Sequence, residues 1–159
     1  MAEDKVMDDG LDVIIVDDDI EICETISEIV EKFYVWGEAF SFSDIEAARS
    51  YCLKRKSGIA IFVLDVFLGR GTGFTFLESI VERFPTAYED TIIITGNASD
   101  DVVNMCVASN VYYLLEKPIR SYALQFAVRA IVTKYIRFAK RILADASFAE
   151  NVKRLPTGD

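Results

Sequence analysis

Histidine is absent from the 159-residue sequence, and cysteine occurs only three times, at Cys23, Cys52 and Cys106. That rules out a Ser-His-Asp triad and a Cys-His nucleophile pair, and leaves little for a zinc site. Basic residues are in the minority, with 17 Lys and Arg against 26 Asp and Glu, for a formal net charge of -9. A field of that sign repels phosphate backbones, so no nucleic-acid partner is expected. Long apolar runs are missing as well. Ile59 to Leu64 is a typical longest stretch, far short of the roughly 20 residues that span a bilayer. Met1 to Gly10 is acidic and has neither the basic segment nor the apolar stretch of a signal peptide. The expectation is a soluble, cytoplasmic protein with no membrane partner.

What is present is apolar bulk, 52% of the chain, enough for one substantial core in a chain of single-domain length. Short apolar strands alternate with amphipathic helices from about residue 11 to residue 143. Leu11 to Val16 reads as the first strand, ending in Asp17-Asp18-Asp19. Ile22, Ile26, Ile29, Val30 and Phe33 then recur at helical spacing. Tyr34 to Phe40 reads as the second strand, and Ser43 with Glu46 as the capping box of a helix to about Lys56. Lys54, Arg55 and Lys56 would meet the negative end of that helix.

Ile59 to Leu64 is nearly all apolar, as expected for a parallel strand covered on both faces. A loop from Gly69 to Gly73 leads to a helix from about Phe74 to Phe84, stopped by Pro85. Thr91 to Ile94 is the fourth strand, and Ser99 caps a helix through about Ser109. Val111 to Leu115 is the fifth strand, followed from Ser121 by a long C-terminal helix. Arg120, Arg129, Lys134, Arg137, Lys140 and Arg141 read as its solvated face rather than a binding patch. Five such units predict a doubly wound α/β fold, a five-stranded parallel sheet of flavodoxin-like order 2-1-3-4-5.

In that order the crevice opens beyond the carboxyl ends of strands 1 and 3. Asp17, Asp18 and Asp65 stand at those ends. Asp17 or Asp18 alone is explained as a helix cap, but Asp65 ends an apolar strand with no helix starting directly after it, and three converging carboxylates repel one another unless a cation neutralises them. Oxygen ligands suit Mg²⁺. Thr95 ends strand 4 and Lys117 follows strand 5, so a hydroxyl donor and a cation reach the same edge. A metal, a hydroxyl and an ammonium around a carboxylate are the equipment of phosphoryl transfer.

These residues carry a family resemblance. Ile14-Ile15-Val16-Asp17-Asp18-Asp19, the segment Leu64-Asp65 to Gly73, Ile92-Ile93-Ile94-Thr95-Gly96 and Glu116-Lys117-Pro118-Ile119 together resemble response-regulator receiver domains. The resemblance spans about residues 11 to 135. It implies that Asp65 accepts a phosphoryl group from a phosphohistidine, with the domain catalysing its own phosphorylation and slow dephosphorylation. It implies Mg²⁺ held by Asp17 (through water), Asp18, Asp65 and the backbone carbonyl of Phe67. Thr95 and Lys117 would contact the phosphate, and the Lys117-Pro118 bond would be cis. With no histidine here, the donor is a histidine kinase or phosphotransfer protein elsewhere. The recipient of the signal is a downstream protein or an output domain of a longer chain.

Residues 1–10 are then an N-terminal tail, 11–143 the receiver, and 144–159 an extension too short for an output domain. A phosphate-independent pseudo-receiver, binding partners on the same fold, is the alternative; another Mg²⁺-dependent α/β hydrolase is a third reading. Four positions depart from the family pattern: Gly69 for Pro, Asn110 for Gly, an apolar Phe67 beside the acceptor, and Leu114 where an aromatic is usual. Tyr113 should point to the opposite face of the sheet and cannot replace that aromatic.

Overall fold

In the computed structural model of the protein, which describes residues 9–69 and 71–155, five parallel strands form one sheet. They are β1 (Val13–Val16), β2 (Ala39–Phe42), β3 (Ile61–Asp65), β4 (Thr91–Thr95) and β5 (Tyr113–Glu116). Their order is β2-β1-β3-β4-β5, as the alternation of elements predicts. Arg70, most of the N-terminal tail and the last four residues of the extension lie outside the described residues.

Strand periodicity divides the core in two. Ile14, Val16, Phe62, Leu64 and Ile93 pack with Cys52, Phe76, Leu77, Ile80 and Val102. These come from the helices α2 (Ile45–Lys54), α3 (Gly73–Ile80) and α4 (Asp100–Ser109). Val13, Ile15, Ile61, Val63, Ile92 and Ile94 face Ile26 and Val30 of α1 (Ile20–Phe33) and Leu124, Val128 and Ile131 of α5 (Ser121–Ala144). Burial on both faces is why β1, β3 and β4 carry no exposed residue. The last fully buried residue of α5 is Val132; Tyr135 and Ile136 still pack on the core, half-buried. A short α6 (Ala146–Lys153) follows, capped by Asp145.

Several local boundaries differ from the sequence reading. Tyr34 does not open β2; it closes α1, its amide bonded to the Val30 carbonyl and its hydroxyl donating to the Leu11 carbonyl. β2 begins only at Ala39, after Gly37 has passed against the Leu11 backbone where a Cβ would clash. The cap of α2 is Asp44, which accepts from the Ala47 amide at 2.9 Å, not Ser43. α3 starts at the end of the glycine loop, on a reciprocal Thr72/Thr75 capping box, and is over by Ile80. The loop itself contains a two-residue antiparallel pair, Phe67-Leu68 with Gly71-Thr72, turned at Gly69 with φ +63°. Proline cannot adopt that angle, which accounts for its absence here, and glycine adopts it without strain. β5 starts at Tyr113, because Val111 still closes α4 onto the Cys106 carbonyl around left-handed Asn110. The Ser99 cap is as expected.

Arg55 also departs from its expected place at a helix end. It is buried, with Nη1 2.6 Å from Asp12 Oδ2 and Nη2 donating to the Ile59 carbonyl at 3.1 Å. Asp12 Oδ1 in turn accepts from the Glu38 amide at 2.8 Å. One ion pair thus ties together the entries of β1, β2 and β3.

All three cysteines are buried and free. Burial raises each thiol, with Cys52 pushed up to about 12. At pH 8 the folded protein should therefore react slowly with Ellman's reagent, while the urea-unfolded chain releases three equivalents. A fast equivalent from the folded protein would contradict this packing.

Candidate acidic site at the sheet edge

β1 and β3 leave the sheet in the same direction, and their carboxyl ends deliver Asp17 and Asp65 side by side. Asp17 is 1% exposed and Asp65 9%; Asp18, next in the chain, faces solvent. One carboxylate oxygen from each of the three lies within 4.8 Å of the others. Lys117, delivered from β5, places its Nζ 3.0 Å from Asp65 Oδ2 and 3.1 Å from Asp17 Oδ2.

The backbone fixes these positions. The Lys117 amide donates to the Thr95 carbonyl at 2.8 Å, which locks the start of the β5–α5 loop onto the end of β4. The Lys117-Pro118 peptide is cis, as the motif implies. Thr95 is buried one residue beyond Ile94, the neighbour of Asp65, and its Oγ1 accepts from the Asn97 amide at 3.2 Å. The Phe67 amide lies 3.4 Å from Asp65 Oδ1, so its backbone borders the carboxylate while its ring is 64% exposed. Gly73 packs under the same strand end, where a Cβ would lie 2.6 Å from the Asp65 carbonyl oxygen. Gly96 is different, since a Cβ there would meet nothing within 4 Å.

Burial raises the Asp17 carboxyl above its ordinary value, and Asp65 adds to the shift against the pull of Lys117. Burial opposes the charge on Lys117, yet its hydrogen bond to Asp65 and its ion pair with Asp17 carry the ammonium above its ordinary value. One ammonium thus stands among three carboxylates. Asp17 Oδ1 accepts from the Asp19 amide at 2.8 Å. Its Oδ2, at ion-pair distance from Lys117, accepts no well-directed hydrogen bond although it is buried. A buried carboxylate oxygen with no well-directed donor, in an all-oxygen set with surplus negative charge, fits a divalent cation.

The structure thus brings Asp17, Asp18, Asp65 and Lys117 together, with Thr95 and the Phe67 backbone at the same edge. Sequence reasoning did not find the cleft of about 400 Å³ beside Asp18, walled by Val16, Asp44, Ile45 and Leu68. Its wall depends on the Asp44 cap and the small hairpin, neither of which the residue pattern marks. Leu114 packs on the α3 and α4 side of the sheet, and Tyr113 on the α1 and α5 side, as the strand alternation requires.

A five-stranded doubly wound sheet with a carboxylate-rich crevice at its switch point is an arrangement suited to binding a cation and a phosphoryl group. Residues 13–129 match the response regulator receiver domain, and the chain belongs to that family. Among solved structures, it resembles the beryllofluoride-activated NtrC4 receiver domain dimer at 25% identity and TM-score 0.67, over 78% of this chain and 98% of that one. A receiver domain protein of Methanospirillum hungatei JF-1 shares the fold at 18% identity, TM-score 0.68, over 79% and 96%. One from Clostridium thermocellum does so at 18%, TM-score 0.69, over 80% and 98%. No curated protein matches the sequence. Among the described residues, no helix is long and apolar enough to cross a membrane.

Proposed function

We propose that this receiver is phosphorylated on Asp65 in an Mg²⁺-dependent reaction, taking phosphate from a phosphohistidine of a kinase or phosphotransfer protein in the cytoplasm. The observation that carries the reading is the Asp65 carboxylate held 3.0 Å from Lys117, with Asp17 and Asp18 alongside. Asp17, Asp18, Asp65 and the Phe67 carbonyl would hold Mg²⁺, which when bound supplies charge neutralisation at the phosphoryl oxygens. An Asp65 oxygen attacks phosphorus as the P–N bond to the imidazole breaks, leaving its electron pair on nitrogen. Lys117 follows the new negative charge onto the phosphate, and Thr95 donates its hydroxyl to a phosphoryl oxygen. Intact mass after acetyl phosphate treatment tests this. The expected result is one added phosphoryl group with Mg²⁺ and none with EDTA; no addition in either case would reject it.

The exposed ring of Phe67 stands beside the acceptor, where it restricts the path of an attacking water. Phe67→Asn should lose phosphate several-fold faster than wild type, with unchanged circular dichroism. Equal or slower loss would remove this role.

Signal output runs through Thr95 and its loop, because Leu114 offers no ring or hydroxyl to expose. Hydrogen exchange with beryllofluoride and Mg²⁺ should change most from Gly96 through α4. Changes confined to the loops after β1 and β3 would contradict it.

A further inference from the structure

The receiver match ends at residue 129, but α5 continues to Ala144 and α6 follows. Relatives that are covered over 96–98% of their own length leave about a fifth of this chain uncovered. Of the residues outside the family match, 1–12 and 130–159, the C-terminal stretch is the longer. α5 contains five basic residues, Arg129, Lys134, Arg137, Lys140 and Arg141, and no acidic one, in a chain of net charge -9.

These cations are not one uniform solvated face. Lys134 turns inward, 2.5 Å from Oδ1 of the fully buried Asp90. Arg129 lies over the rings of Phe33 and Trp36. Arg137, Lys140 and Arg141 are exposed and meet no carboxylate among the described residues. Arg137 and Arg141 border a groove of about 440 Å³, with Glu89, Lys134, Tyr135 and Phe138 as its other principal walls. Its floor is rigid, since the Tyr135 hydroxyl donates to Asp90 and lies 3.1 Å from Thr86 Oγ1. Phe138 is half exposed on the groove and braced behind by Phe148 of α6, edge to face at 6.4 Å.

We propose that this groove docks an acidic protein segment carrying an aromatic or large aliphatic anchor. The anchor packs on Phe138 and the Tyr135 ring, and flanking carboxylates pair with Arg137 and Arg141. Charge complementarity selects the occupant. Lys134 is already neutralised by Asp90, and Glu89 repels carboxylates from one end, so the acidic residues lie toward the two arginines. A polyanionic nucleic acid is opposed by the net charge of the whole domain and gains nothing from an apolar floor. An anionic bilayer surface is opposed by the same net negative charge of the domain. A second copy would bring the same uncompensated arginines together if it used this face symmetrically.

The probe is a fluorescein-labelled peptide with a phenylalanine and a leucine set among aspartates and glutamates, read by anisotropy on the full chain. Saturable binding is expected, at least tenfold weaker in Arg137→Glu/Arg141→Glu and several-fold weaker in Phe138→Ala. Lys32→Glu/Lys54→Glu, an equal charge change at exposed positions of α1 and α2, should leave it within about twofold. Absent binding, or equal loss in Lys32→Glu/Lys54→Glu, overturns the proposal. So does tighter binding of a DNA duplex, or of vesicles of phosphatidylcholine with phosphatidylglycerol, that the same double variant abolishes. All substituted residues of the groove are exposed, and unchanged circular dichroism with unchanged acetyl phosphate labelling separates this outcome from any failure at Asp65.

Discussion

Asp65→Asn should gain no phosphoryl group from acetyl phosphate under conditions that label the wild type to a substantial fraction. The amide is nearly isosteric with the carboxylate but lacks its nucleophilic charge, so the loss is expected to be complete rather than graded. It also removes one of three crowded negative charges, so the fold should tolerate the change and gain slightly in thermal stability. Intact mass with and without Mg²⁺, together with a melting curve, reads both effects. Wild-type labelling in the variant would move the acceptor to another residue.

Asp12→Ala should be the most destabilising single substitution of a charged residue outside the acidic site. It leaves the Arg55 guanidinium, whose side chain is only 1% exposed, without its carboxylate, and strands the Glu38 amide. Breaking a buried pair from one side costs about 3–5 kcal/mol. Urea unfolding should report that loss as a lower midpoint at constant slope. The double variant Asp12→Leu/Arg55→Met should recover most of it, because no lone charge remains. A loss below about 1 kcal/mol in the single variant would mean that water reaches Arg55.

The difference between these two sites is also the difference between what was and was not legible in the sequence. Asp17, Asp65 and Thr95 each sit where an apolar run stops and Lys117 lies one residue past such a stop, so their convergence follows from strand order. The Asp12–Arg55 pair joins residues 43 apart whose neighbours carry no periodic signal. Arg55 looks like a routine cation in a last helical turn, and nothing local says that it turns inward. The misplaced start of β2 has a related cause. Tyr34, Val35 and Trp36 have strand-forming side chains, but a tertiary contact from Tyr34 to the Leu11 carbonyl and a tight pass at Gly37 decide their conformation. The groove on α5 was likewise hidden, because charge spacing on a helix does not reveal which cation a buried aspartate will claim.

The asymmetry of α5 has a mechanical consequence. Its first part is held between α1 and the sheet as far as the half-buried Ile136, while the eight residues of α5 after Ile136 extend about 12 Å with no buried residue. A rod clamped at one end multiplies angle into distance. A tilt of about 5° in the clamped part displaces the tip by about 1 Å over that arm. The Asp90 contacts to Lys134 and Tyr135 act as the fulcrum, since they grip the helix just past its last buried turn. A small rotation at the sheet would thus reach Arg141 and α6 as a movement of about 1 Å.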